Sequence, residues 1–148
     1  MSETIDELAV GAGRWIALET MLFETLGAWA RSDDVPAPAR RVLATWCHRH
    51  AWHAEMWRER MPVIANHELS AEDTGLDFVA ATRAAIEADV RAIVDPVLTT
   101  MQHHVDAHLA RIDQLLDGPT ARILALVGAD LATEVSEARA VLGGPPAP

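Results

Sequence analysis

The chain has 148 residues, enough for one domain with a real core, and half of them are hydrophobic. Its formal charge of -10, with no cluster of basic residues, argues against nucleic acid and against a membrane surface as partners. No run reaches the ~18 apolar residues of a membrane span, and the start MSETIDELAVGAGR lacks the basic-then-apolar order of a signal peptide. The single cysteine, Cys47, excludes an internal disulfide and reads as a small buried hydrophobe, so the expected location is cytoplasmic.

The first helix is expected over residues 3 to 31. Ser2 or Thr4 caps it, and Asp6 and Glu7 suit its positive first turn. Ile5, Leu8, Ala12, Trp15, Ile16, Leu22, Phe23, Leu26 and Ala30 follow a helical period, and Glu19 lies at the centre of that stripe. A carboxylate there is anomalous, because glutamate is almost never fully buried unless paired or bound. Glu24 falls off the stripe and reads as solvated. SDDVPAP, with two prolines, ends the helix near Ser32.

A second helix begins between Pro36 and Ala39 and runs to Met61, where Pro62 stops it. At about 100° per residue, Leu43, Trp46, His50, His53, Trp57 and Met61 share one stripe. Two histidines thus sit in the middle of an apolar face, while His48, Trp52, Glu55 and Glu59 project from the other side. The segment after Pro62 reads as loop and caps through Asn66, Ser70 and Gly75, with His67 exposed. From Leu76 to Val94 a third helical stretch has strong helix propensity but a thinner apolar face, and is expected to cross over the other helices.

Pro96 marks a kink or a fresh start, and the next helix is expected to reach Leu116. Val97, Met101, Val105, Ile112 and Leu115 form its apolar side. His108 falls among them, His104 lies nearer the edge at the i, i+4 spacing, and His103 points away. Pro119 suits the first position of the last helix, Thr120 to Leu142. That helix buries Ile123, Leu124, Val127, Leu131, Val135, Ala138 and Leu142, with Glu134 inside the stripe and Asp130 and Glu137 beside it.

These elements predict an all-α domain over residues 1–143: an antiparallel four-helix bundle with a crossover, an extra helix between the second and third core helices, and a disordered tail over 144–148. Glu19, His50, His53, His108 and Glu134 then fall at similar heights, a few ångströms apart at about 1.5 Å per residue. An unpaired polar group in a core costs roughly 1 to 3 kcal/mol, so each buried imidazole needs a partner, either a metal or another side chain. Two or three histidines with a carboxylate and open positions fit a non-haem iron centre that activates oxygen. The expected metal set is Glu19, His50, His53, His104, His108 and Glu134. Glu19, His53 and His108 are the expected catalytic residues, and Trp15, Trp46, Trp57, Met101 and Asp130 line the pocket. The tryptophans also serve as ordinary core packing. Trp29 and Trp52 lie off the main stripes and suggest an apolar outer surface, hence a homodimer.

ETMLFETLG in the first helix, HRHAWHAEMWRERMP in the second and DGPTARILALVGADLATE at the last turn resemble short bacterial members of the ferritin-like superfamily. That family's di-iron proteins carry a Glu on each of two helices and a Glu-x-x-His on each of the others. By the resemblance Glu19 matches the lone first-helix Glu and Glu134 the last-helix Glu. His50 and His53 stand where a Glu-x-x-His is expected, His108 or His104 stands in place of the third-helix Glu, and Glu137 stands where a His would follow. No Glu-x-x-His is intact, and the remaining set is richer in nitrogen. The pair His104 and His108 is also similar to the His-x-x-x-His of four-helix oxygen carriers. The resemblance implies an iron protein, with zinc or manganese as other metals, acting as an oxidoreductase on a small molecule. Two rivals stand beside it: metal-free acid-base chemistry by His and Glu in the same pocket, and a non-enzymatic helical binding or assembly protein.

Overall fold

A computed structural model of the protein describes residues 2–62 and 76–142. The loop expected around Asn66, His67, Ser70 and Gly75, and the tail, lie outside the described residues. Among the described residues every regular element is helical: α1 (Ile5–Ala30), α2 (Ala37–Arg60), α3 (Leu76–Ala88), a 3-10 turn (Val90–Ile93), a π turn (Val94–Leu98), α4 (Thr99–Arg111) and α5 (Gly118–Val141). None of them is long and apolar enough to cross a membrane.

Helix α1 starts on a capping box. The Thr4 hydroxyl accepts from the Glu7 N–H, and the Glu7 carboxylate accepts from the Thr4 N–H at 2.8 Å. Two of the four orphan donors of the first turn are satisfied in this way. Replacing Thr4 by Ala is expected to cost about 1 kcal/mol, read as a lower midpoint in urea unfolding.

The helices pair by their apolar stripes. Trp15 meets Trp57, Glu19 meets His50 and His53, and the Phe23 carbonyl meets Cys47, so residue numbers rise along α1 as they fall along α2 and the two run antiparallel. By the same test α5 is antiparallel to α2: Arg60 bonds Thr120, His53 bonds Asp130, and Trp46 bonds Glu137. Gly128 brings α5 close to α4, because a Cβ there would lie 3.2 Å from Val105. Helix α3 packs on α1, and the Trp29 indole N–H donates to the Ile86 carbonyl at 3.0 Å. Trp29 is therefore an interhelix contact rather than part of an outer apolar surface, whereas Trp52 is 52% exposed. The shared core includes Leu22, Leu26, Leu43, Ile86, Leu98 and Leu131, all fully buried.

Three boundaries differ from expectation. Helix α3 stops at Ala88, and Val90–Ile93 tightens into a 3-10 turn. Around Pro96, which lacks a backbone N–H, the chain widens to a π turn before α4, where insertion of proline into a helix has to be absorbed. Helix α4 ends at Arg111 rather than Leu116. Ile112 is extended, and the Asp113 carboxylate accepts from the N–H groups of Leu115 and Leu116 at 2.9 and 3.0 Å. Those two bonds hold the Asp113 carboxyl below its usual range and offer the backbone an alternative to another helical turn. Leu115, expected on the apolar side, is consequently 88% exposed. Ile5 and Phe23, also expected in the stripe, are exposed at 63% and 43%.

Candidate metal site

Buried polar residues on α1, α2 and α5 come together in one layer. Glu19 on α1 and His50 and His53 on α2 are each fully buried, and each offers a ligand atom such that all three atoms lie within 4.8 Å of one another. Their positions follow from helical spacing: His50 and His53 are three residues apart and share a face, and Glu19 is level with them on the antiparallel neighbour. His50 Nδ1 is 2.5 Å from Glu19 Oε2, and its Nε2 is 3.2 Å from Glu134 Oε2. His53 Nδ1 is 3.5 Å from the same Glu19 oxygen, while its Nε2 bonds Asp130 Oδ2 at 2.9 Å. The two imidazoles meet edge to face, 5.7 Å apart.

These distances leave much of the polar capacity unused. Glu19 Oε1, His50 Nε2, His53 Nδ1 and both oxygens of Glu134 are buried without a hydrogen-bond partner among the described residues. His50 Nε2 and Glu134 Oε2 are close enough to attract but misaligned for a bond. Each such atom carries an energetic penalty, and natural cores hold few of them. Five lie in one layer, all of metal-ligand types, and the residues Glu19, His50 and His53 are grouped closely enough to hold a metal ion. Trp57, one turn along α2 from His53, has a buried indole N–H that is likewise without a partner among the described residues.

Charge in the layer is strongly coupled. Burial favours the neutral form of His50, but the facing charges of Glu134 and Glu19 outweigh it and push its pKa up to about 10. Burial likewise works against protonation of His53, and contact with Glu19 and Asp130 reverses this, so its pKa is raised. Burial alone would raise Glu19, yet the imidazolium of His50, helped by His53, holds it below the usual carboxylate range. Outside the layer, Arg49 Nη1 lies 3.6 Å from Glu134 and 3.4 Å from Glu137, and the Trp46 N–H donates to Glu137 at 2.6 Å. Arg49 was not anticipated from sequence. Its only signal was a cation beside His50, one turn from Trp46.

The other expected ligands lie elsewhere. His108 is buried, but Trp15 Nε1 donates to its Nδ1 at 3.3 Å and its Nε2 faces Glu3 Oε1 at 2.7 Å, so both nitrogens are engaged. It stacks on Trp57, which in turn stacks on Trp15, one helical turn away from Glu19. His104 is exposed and meets Phe78 edge to face. The early end of α4 explains the offset: His108 sits in the last turn of the helix and not at its middle. Before Val105, which lies opposite Gly128, the buried residues are Met101 of α4 and Leu98 of the π turn, both apolar. Of the expected pocket, Trp15, Trp46, Trp57 and Met101 are core residues, and Asp130 is the one that touches a candidate ligand. Cys47 is no ligand, since its thiol donates to the Phe23 carbonyl and burial raises its pKa.

The chain matches no family model, no curated protein and no solved structure, so the chemistry of the site has to be argued from its own donors.

Proposed function

We propose that this protein is a ferritin-like four-helix bundle with a crossover that binds a divalent transition metal, iron in the first place, and works as a non-haem iron oxidoreductase on a small molecule. The observation that carries the reading is the buried trio Glu19, His50 and His53, each with a ligand atom within 4.8 Å of those of the other two. Two imidazoles and one carboxylate are the donor set of non-haem Fe(II) centres with open positions, and they serve zinc or manganese too. Bound Fe(II) would supply oxygen or redox chemistry there. Glu134 is the fourth donor within reach of His50. Asp130 accepts from His53 Nε2, which fixes the ring so that Nδ1 is the nitrogen left for a ligand bond. Trp15 and Trp57 stack at 5.7 Å one helical turn from Glu19 and His53.

Metal content settles the first step. Protein purified without chelator and incubated with Fe(II) anaerobically is expected to hold metal near one equivalent per chain, and Asp130→Asn to weaken binding about 10- to 100-fold. Sub-stoichiometric metal that does not rise with Fe(II), Zn(II) or Mn(II) would sink the proposal. One observation favours a second reading, a metal-free buried ion network: His50 already has a carboxylate at each ring nitrogen. Such networks are often close to neutral for stability yet costly to break.

A further inference from the structure

A histidine and a buried carboxylate stand behind the indole N–H of Trp15. Trp15 Nε1 donates to His108 Nδ1 at 3.3 Å, and His108 Nε2 lies 2.7 Å from Glu3 Oε1, in a side chain only 9% exposed. An indole N–H can only donate, so Nδ1 holds the lone pair and the ring proton sits on Nε2, facing the carboxylate. A base thus meets the indole, backed by an anion. Trp57 stacks on Trp15 at 5.7 Å and on His108 at 6.4 Å, one turn along α2 from His53. Its own N–H is buried and has no partner among the described residues. Trp57 is fully buried, whereas Trp15 also lines the groove between α1, α3 and α4, so the two rings run from beside the metal layer to the groove wall. The chain has five tryptophans and no tyrosine, which leaves tryptophan as its most readily oxidised aromatic ring.

We propose that Trp15 is a one-electron redox site, with His108 as the base that takes its N–H proton and Trp57 as the ring that relays its electron. By chemical class the oxidant is a transition-metal ion that accepts one electron; its place in the Glu19 layer rests on the metal reading, while the Trp15 site itself does not. Trp15 gives one electron, through Trp57, to the oxidant, which is reduced by one. The N–H bond of the oxidised indole breaks, and its proton bonds to His108 Nδ1. The products are a neutral Trp15 radical and an imidazolium beside the Glu3 carboxylate, and return of the electron sends the proton back. Passing the proton on matters, because an unpaired cation in a core is costly. Glu3 stabilises the imidazolium as the buried carboxylate does in a Ser-His-Asp triad. Trp57 has no such base, so the electron vacancy settles on Trp15. Arg111, 4.0 Å from the same Glu3 oxygen, keeps 70% of its side chain exposed, and water screens its charge.

Flash photolysis of the full chain in chelator tests the site, with tris(bipyridyl)ruthenium(III), generated by the flash, as the oxidant. The reference protein carries Cys47→Ser and Trp52→Phe, which remove the thiol and the most exposed indole. Transient absorption and electron paramagnetic resonance are expected to show a neutral tryptophan radical that forms more slowly in D2O. Trp15→Phe should abolish it. His108→Gln should slow its formation about 100-fold or more, the scale a positioned base contributes. The amide can still accept from the indole and donate to Glu3, but it cannot take the proton. A histidine with only a packing role would leave that rate unchanged. The radical persisting in Trp15→Phe, an unchanged rate in His108→Gln folded by circular dichroism, no slowing in D2O, or no neutral radical in the reference overturns the proposal. The D2O comparison touches neither Trp15 nor His108, so it decides the matter even where those variants fail to fold. Because no metal is present, failure of the metal site leaves these outcomes unaffected.

Discussion

Fe(II), added anaerobically to chelator-treated protein at about one hundred times its Kd, is expected to raise the thermal midpoint by about 5 to 10 °C, and Glu19→Gln to erase that rise. A ligand that binds only the folded chain at this excess stabilises it by about 2.7 kcal/mol, and each kcal/mol moves the midpoint of a chain this size by about 2 to 4 °C. Glu19 is the member of the trio within reach of both imidazoles, 2.5 Å from His50 and 3.5 Å from His53. Its loss removes a charged donor, and it also strips His50 of its shortest partner. Metal-free Glu19→Gln is therefore expected to be less stable than the parent by about 3 kcal/mol, the scale of breaking a buried pair. His53→Ala separates the two effects. It leaves the contact between His50 and Glu19 in place and removes one nitrogen donor, so the metal response should vanish with a smaller loss of metal-free stability. A parent protein whose midpoint ignores Fe(II), Zn(II) and Mn(II), alongside a destabilised Glu19→Gln, would leave the ion network as the reading and discard the metal.

The helical period of α1, α2 and α5 was enough to find Glu19, His50, His53 and Glu134, because each is polar at the centre of an apolar stripe and long straight helices keep their phase. The burial of all four at 0% exposure bears out that logic. Where the backbone departs from a continuous helix, phase is lost. The π turn at Pro96 and the Asp113 turn shorten α4 at both ends, so His108 occupies another level and Leu115 faces solvent. Exposure of Ile5 and Phe23 has a simpler cause: the stripe drawn for α1 is wider than the faces of α2 and α3 that cover it. The interhelix bond of Trp29 was illegible for a different reason, since its acceptor is a backbone carbonyl, which every residue carries and no residue type signals. Arg49 was hidden because an arginine at a stripe's edge looks like any solvated cation until α5 supplies Glu134 and Glu137.

Metal-free protein is expected to lose stability as pH rises from about 6.5 to about 10, the opposite of what buried neutral histidines would do. The folded pKa of His50 is raised to about 10 from an ordinary value of 6.5. A raised pKa contributes stability that is fully present below the unfolded value and is lost as pH climbs through the folded one. Glu19 gives the complementary edge. Its folded pKa lies below its ordinary value of 4.5, so its contribution is present above that value and disappears as pH falls through the folded pKa. Both edges report one coupled ion network and must not be added. Between them, from about pH 4.5 to 6.5, the network is at full strength, and its loss on the alkaline side is on the order of 3 to 5 kcal/mol at about 1.4 kcal/mol per pKa unit. The measurement is urea unfolding at pH 6 and pH 9 in chelator, for the parent and for His50→Gln, which keeps a hydrogen-bonding side chain but cannot titrate. Glu19 and His53 titrate together with His50, so the difference between the two proteins reports the network that the His50 charge holds. If the parent and His50→Gln change in parallel across that range, His50 carries no charge in the folded protein, and the alkaline edge is refuted. If the edge appears and Fe(II) flattens it, the metal has displaced the proton from the ring, as binding to a neutral imidazole requires.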